Sequence, residues 1–240
     1  MGLDPTFLSE ASSPLPQCAS PPLHGSLATS FSTFFVIAME PRSGGRIFTG
    51  SEMRLFFAVE LPTEVQAALG RLNPNDASRD YRWADPSLMH VTLAFLGQQP
   101  PERLDTLRSI GAAAAAASPP GVLRLGQPGS FGSRKAPRVL WIGLDGDLAA
   151  LEALQSRLTT GLRQASFEVE ERAFSPHITL ARRRESAHGG PPPGWPPTQR
   201  FSQSAEFPME HLTLFESRLS PRGPTYIPLA EFPLQQTSER

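Results

Sequence analysis

The sequence predicts an α+β fold, and two observations carry that prediction. Short β-rich runs are interleaved with a few helical stretches, and neighbouring β runs follow one another like hairpins instead of alternating strictly with helices. The 240 residues suffice to bury the core of one domain or of two small lobes.

Taken in order, residues 54–60 form a strand-like apolar run. Pro62 then suits a helix start, and a helix follows over residues 64–72. Residues 79–84 and 89–95 read as two further strands. Residues 102–117 make a helix whose alanine run reflects propensity rather than function. After a β-rich run at 138–144, Leu148, Leu151, Leu154, Leu158 and Leu162 recur at helical spacing, so residues 148–164 are an amphipathic helix. Residues 178–181, 206–215 and 225–229 are late strands. Five prolines make residues 186–200 a loop.

Residues 1–52 differ from the rest. They are rich in Ser, Pro and Gly, lack sustained periodicity, and read as a disordered N-terminal extension preceding a domain over 53–240. A natural start at Met53 is the alternative. Cys18, the one cysteine, allows neither an intrachain disulfide nor a Cys-rich zinc site, which points to a reducing cytoplasm. No stretch is apolar enough for a membrane span, and we expect no membrane partner.

Composition also excludes a chemistry. Of the 22 basic residues, 21 are Arg and only Lys135 is Lys. A lysyl-adenylate mechanism needs a nucleophilic Lys, and Lys135 has no K-x-D-G context. Net charge is −1, so any RNA contact must come from a local patch.

Two pentapeptides nearly repeat: His90-Val91-Thr92-Leu93-Ala94 and His177-Ile178-Thr179-Leu180-Ala181. In a strand, residues i and i+2 share a face, so each unit sets an imidazole beside a hydroxyl while its aliphatics point to the core. Cleaving a phosphodiester needs one group to take a proton and another to give one. Histidine, with an ordinary pKa near ~6.5, serves either role. A zinc site shared by His90 and His177 lacks carboxylate partners at fixed spacing, so no metal is expected. One ambiguity stays open at this level. His211-Leu212-Thr213-Leu214 is a third H-x-T-L unit, and periodicity alone does not say which two units pair.

The chain resembles the two-histidine (2H) phosphoesterase superfamily, specifically the bacterial RNA 2′,3′-cyclic phosphodiesterases of the 2′-5′ RNA ligase family. Arg54-Leu55-Phe56-Phe57-Ala58-Val59 with Leu61-Pro62 is similar to that family's first strand. Trp83 ahead of His90-Val91-Thr92-Leu93, then Phe95-Leu96-Gly97, resembles its first H-x-T-x region. Gly129-Ser130-Phe131 and Pro137–Trp141 resemble its middle loop and strand, and Ser175-Pro176-His177-Ile178-Thr179-Leu180-Ala181-Arg182 its second motif. Leu214-Phe215-Glu216-Ser217 and Tyr226 match the closing strands. His211 falls there at a position the family does not use for catalysis.

The resemblance implies two pseudo-symmetric lobes, each a mostly antiparallel sheet with helices on one side, around a central cleft with one motif per lobe. It implies hydrolysis of RNA 2′,3′-cyclic phosphate ends, from tRNA fragments or nucleotides, by a monomer without metal, ATP or other cofactor. His177 would be the general base and His90 the general acid. Thr92 and Thr179 would hold the non-bridging oxygens and Arg182 would clamp the phosphate. Arg182 lies on the wrong face for this under strict alternation, so the strand must end or bulge before it. Phe56 would floor the cleft or stack on a base. Reversible 2′-5′ ligation of tRNA halves is the alternative activity, and a catalytically silent RNA-binding module the alternative class.

Overall fold

Each half of the domain begins with a strand that sends alternate side chains to opposite faces, and a helix covers only one of those faces. The structure, a computed structural model, describes residues 52–73, 79–197, 206–221 and 223–235. The reading of residues 1–52 as an extension therefore falls outside the described residues, Glu52 apart.

The described elements are β1 (Met53–Glu60), α1 (Thr63–Gly70), β2 (Tyr81–Trp83), β3 (His90–Gln99), α2 (Leu104–Ala116), β4 (Gly121–Ser133), β5 (Ala136–Gly146), α3 (Leu148–Gln164), β6 (His177–Arg183), β7 (Glu206–Met209), β8 (His211–Ser220) and β9 (Gly223–Pro233). The strands join in one antiparallel sheet of order β7-β4-β5-β6-β3-β1-β8-β9, with β2 paired to β6. The α+β class is the one the sequence predicts. The two halves meet at the centre, where Val91 of β3 pairs with Ile178 of β6. These are the middle residues of the two H-x-T units, so the motifs lie side by side and antiparallel.

Leu55, Phe57, Val59, Val91, Leu93, Ile178 and Leu180 face the core, together with Leu107 and Ala115 of α2 and Leu151, Leu154, Leu158 and Leu162 of α3. All four α3 leucines are fully buried, at roughly 1.5–3 kcal/mol each. The opposite face of β1 carries Phe56 and Ala58, which cluster separately with Phe215. This second face is open to the site.

Two elements differ from the sequence prediction. The run at 206–215 is two strands broken at Glu210: β7 pairs with β4 in one half, and β8 with β1 in the other. Continuous apolar patterning hides that change of partner. Where the resemblance implies a middle loop at Gly129-Ser130-Phe131, the structure has the 13-residue strand β4, which runs through Gly126, Pro128, Gly129 and Gly132. It survives as a strand because register shifts against β5 absorb the breakers. Gly129 has a packing reason as well, since a Cβ there would sit 2.2 Å from the Trp141 ring. Among the described residues, no helix is long and apolar enough to cross a membrane.

Candidate active site

The histidines are set by the same local device. His90 Nδ1 lies 2.8 Å from the Leu88 carbonyl, and His177 Nδ1 lies 2.7 Å from the Ser175 carbonyl. A carbonyl only accepts, so each Nδ1 must carry the proton and each Nε2 is left as the working nitrogen. The approach to each differs. A 3₁₀ turn at Pro86–Leu88 leads into His90, capped by Asp85, whose Oδ1 accepts from the Ser87 amide at 2.9 Å. The extended Ser175-Pro176 leads into His177.

Strand register decides where the residues after each Thr point. Trp141 pairs with Thr179, but its neighbour Leu140 pairs with Ala181, so β6 carries one extra residue at Leu180. The bulge leaves Leu180 and Ala181 both on the core side and swings Arg182 back to the face of His177 and Thr179. β3 does the same: Ala58 pairs with Thr92 and Phe57 with Ala94, which returns Phe95 to the face of His90. Arg182 therefore reaches the site by a bulge, in spite of simple alternation.

Aromatic rings pack around both imidazoles. The His90 ring lies 4.9 Å from Phe56 and 5.2 Å, edge-on, from Tyr226, while Phe56 also stacks on Phe215 at 5.2 Å. The His177 ring lies 4.9 Å, edge-on, from Phe131 and 6.0 Å from Trp141. Phe56 is only 3% exposed and packs against the His90 ring. Trp83 packs on the core side and is not part of this face. Thr92 is exposed and Thr179 half-buried.

Electrostatics follow from this packing. Burial lowers the pKa of both histidines. The carbonyl of Leu88 or Ser175 offsets this in part, and the positive charge of Arg182 adds to it. His90 is lowered further by the charge of His177. Arg182 keeps contact with solvent, yet it is enclosed enough that lost hydration lowers its pKa. Tyr226 raises it and Arg54 lowers it further. Burial raises the Tyr226 hydroxyl, against the pull of Arg182 and Arg54.

The structure thus brings His90, His177, Thr92, Thr179, Arg182 and Phe56 to one face. Arg54, Tyr226 and Trp141 stand beside them without having been assigned a role from sequence. Arg54 shares the Phe56 alternation, but nothing local marks Tyr226, which arrives from β9. His211 lies on β8, two strands from His90, with its Nε2 3.5 Å from Glu231 Oε1, while the Thr213 hydroxyl donates to Glu60 at 3.2 Å. Among the described residues, no group of three or more His, Cys, Asp or Glu side chains forms a candidate metal site.

Paired H-x-T units on neighbouring strands of an antiparallel sheet, helices behind and Arg182 in front, define a two-histidine phosphoesterase. The sequence profile of the 2′-5′ RNA ligase superfamily matches residues 61–220, and the chain belongs to that family. An RNA 2′,3′-cyclic phosphodiesterase of Thermus thermophilus is 35% identical over 189 residues, covering 76% of this chain and 91% of that protein. One from Geobacillus stearothermophilus is 34% identical over 183 residues. That match covers 75% of this chain, which spans only 56% of the relative's length. The crystal structure of Escherichia coli LigT complexed with 3′-AMP superposes with a TM-score of 0.59 at 27% identity, covering 78% of this chain and all of that one.

Proposed function

We propose that the chain hydrolyses RNA 2′,3′-cyclic phosphodiester ends to 2′-phosphomonoesters by metal-free general acid–base catalysis. The observation that carries this reading is the duplicated anchoring of His90 and His177 through Nδ1 on adjacent strands, which leaves each Nε2 as the working nitrogen on the face that Arg182 shares. His177, neutral, takes a proton from the attacking water, and His90 gives one to the departing 3′ oxygen. Arg182 holds the phosphate, and the hydroxyls of Thr92 and Thr179 donate to its non-bridging oxygens. Phe56 supports the His90 ring from below.

The lowered histidine pKa values give this assignment a consequence. In the free enzyme both imidazoles favour the neutral form. A bound phosphate anion offsets the Arg182 charge and raises the pKa of the nearer imidazole, so the substrate recruits the proton its own cleavage needs. The relatives' activity and the nucleotide held by E. coli LigT support an RNA-end substrate. We place the enzyme in the cytoplasm, where RNA fragments and reduced thiols coexist.

The test is incubation of purified protein with a 2′,3′-cyclic-phosphate oligoribonucleotide in EDTA, with the product's phosphate position read by NMR or chromatography. A 2′-phosphate product is expected. Activity lost in chelator and restored by zinc or manganese would overturn the metal-free mechanism.

A further inference from the structure

Arg54 is held too deliberately for a bystander. Its guanidinium lies 4.7 Å over the centroid of the Phe95 ring, which the β3 bulge has turned onto this face. Arg54 alternates with Phe56 along β1, so both point to the side of His90. Its charge reaches both Arg182 and Tyr226. Among the described residues, neither Arg54 nor Arg182 forms an ion pair with a carboxylate.

Two guanidiniums that act on each other without a counter-ion repel. The reacting cyclic phosphate carries a single charge, which Arg182 alone can balance. A second anion is needed to balance Arg54. The cation–π contact holds the Arg54 guanidinium over Phe95, and its N–H groups suit a forked contact with a phosphate.

We propose that Arg54 binds the phosphate on the 5′ side of the terminal nucleoside, so that the enzyme prefers cyclic-phosphate ends of RNA chains to mononucleotide 2′,3′-cyclic phosphates. This rests on the hydrolase reading above and assigns Arg54 to specificity, with Phe95 as its positioning residue.

The experiment compares kcat/KM for 2′,3′-cyclic AMP, for the same nucleotide bearing a 5′-phosphate, and for a short oligoribonucleotide ending in a 2′,3′-cyclic phosphate. Wild type is expected to favour the last two over the first by roughly tenfold or more, the worth of a charge-assisted contact. Arg54→Gln should bring both ratios towards one, and Arg54→Lys should restore them only in part. Phe95→Leu, which keeps the charge and removes its platform, should lower the same ratios less and serves if Arg54→Gln misfolds. On the oligonucleotide, Arg54→Gln should also flatten the salt dependence by roughly 0.7 in log–log slope, the value of one single-strand phosphate contact.

Ratios unchanged in both variants would overturn the proposal. So would an equal loss on all three substrates, which would assign Arg54 to the reacting phosphate. Wild-type protein inactive on every substrate would overturn the hydrolase reading and this proposal with it.

Discussion

The half of the site built around His90 and the half built around His177 share a backbone arrangement and differ in the side chains it carries. Each has an imidazole fixed by a carbonyl two residues earlier, a Thr on the same face, and a bulge after that Thr. At the position each bulge returns to the open face, one half has Arg182, to which we assign the phosphate. The other has Phe95, an aromatic platform carrying Arg54. The rings differ too: Phe56 and Tyr226 pack on His90, Phe131 and Trp141 on His177. Duplication thus supplies geometry, and divergence supplies an asymmetry of the kind that the proposed acid and base require.

The largest effect should come from removing either imidazole. His90→Ala and His177→Ala are each expected to lower kcat by roughly 10²–10⁴-fold in a steady-state assay, with the double variant far from multiplicative. His211→Ala should stay near wild type, and a folded but inactive His211→Ala protein would mean the wrong units are paired. The same variants sharpen the comparison with a substrate bearing a highly acidic leaving group, such as a nitrophenyl ester. Such a group needs little protonation, so it should rescue His90→Ala well beyond His177→Ala. The reverse would exchange acid and base between the halves.

Next in size is the residue after each bulge. Arg182→Ala should cost roughly 10²–10³-fold in kcat, as loss of a transition-state charge contact does. Phe95→Leu, in the matching position, should fall well short of that on a mononucleotide. Equal losses would deny that the halves divide their roles.

pH provides a third comparison. Both histidines lie below the ordinary value of about 6.5, so the alkaline limb of kcat/KM, which reports the free enzyme, should also fall below it. The bound anion favours the protonated form, so kcat should peak at higher pH than kcat/KM. Coincident profiles would show that the substrate does not shift the pair. Stability follows the same sign. Because the folded state binds these protons less readily than the unfolded chain, stability is full above about pH 6.5 and declines as pH falls through the lowered values.

The helices behind each half give a smaller contrast, readable by thermal melting. A Cβ at Gly111 of α2 would meet Phe232 at 2.6 Å and Phe57 at 2.9 Å, so Gly111→Ala should cost about 1–3 kcal/mol. At Gly161 of α3 the nearest atom is a methyl of Ile110 at 3.0 Å, so relief there should leave Gly161→Ala much milder. The smallest change expected is none: a chain starting at Met53 should keep its melting temperature and activity, because the composition of residues 1–52 does not support a packed core.

By itself the sequence determined the α+β class, the span of α3 to the residue, and the face that His and Thr share in each H-x-T unit, while leaving open which two of the three units lie together. These are local properties, since helical and strand periodicity and the i, i+2 rule act within a few residues. What the tertiary structure decided depends on partners distant in sequence. The split at Glu210 follows from which strand each piece pairs with, and β4 holds because β5 and β7 flank it. Arg182 and Phe95 reach the open face through bulges, which exist only as a mismatch of register between two strands. Tyr226 sits beside His90, and the Arg54 charge acts on Arg182, because β9 and β1 lie in the half that β3 joins to β6 of the His177 half. No local pattern encodes a cross-strand register, so the histidines could be read from sequence, Arg182 entered through the family resemblance, and no role could be read for Arg54, Phe95 or Tyr226.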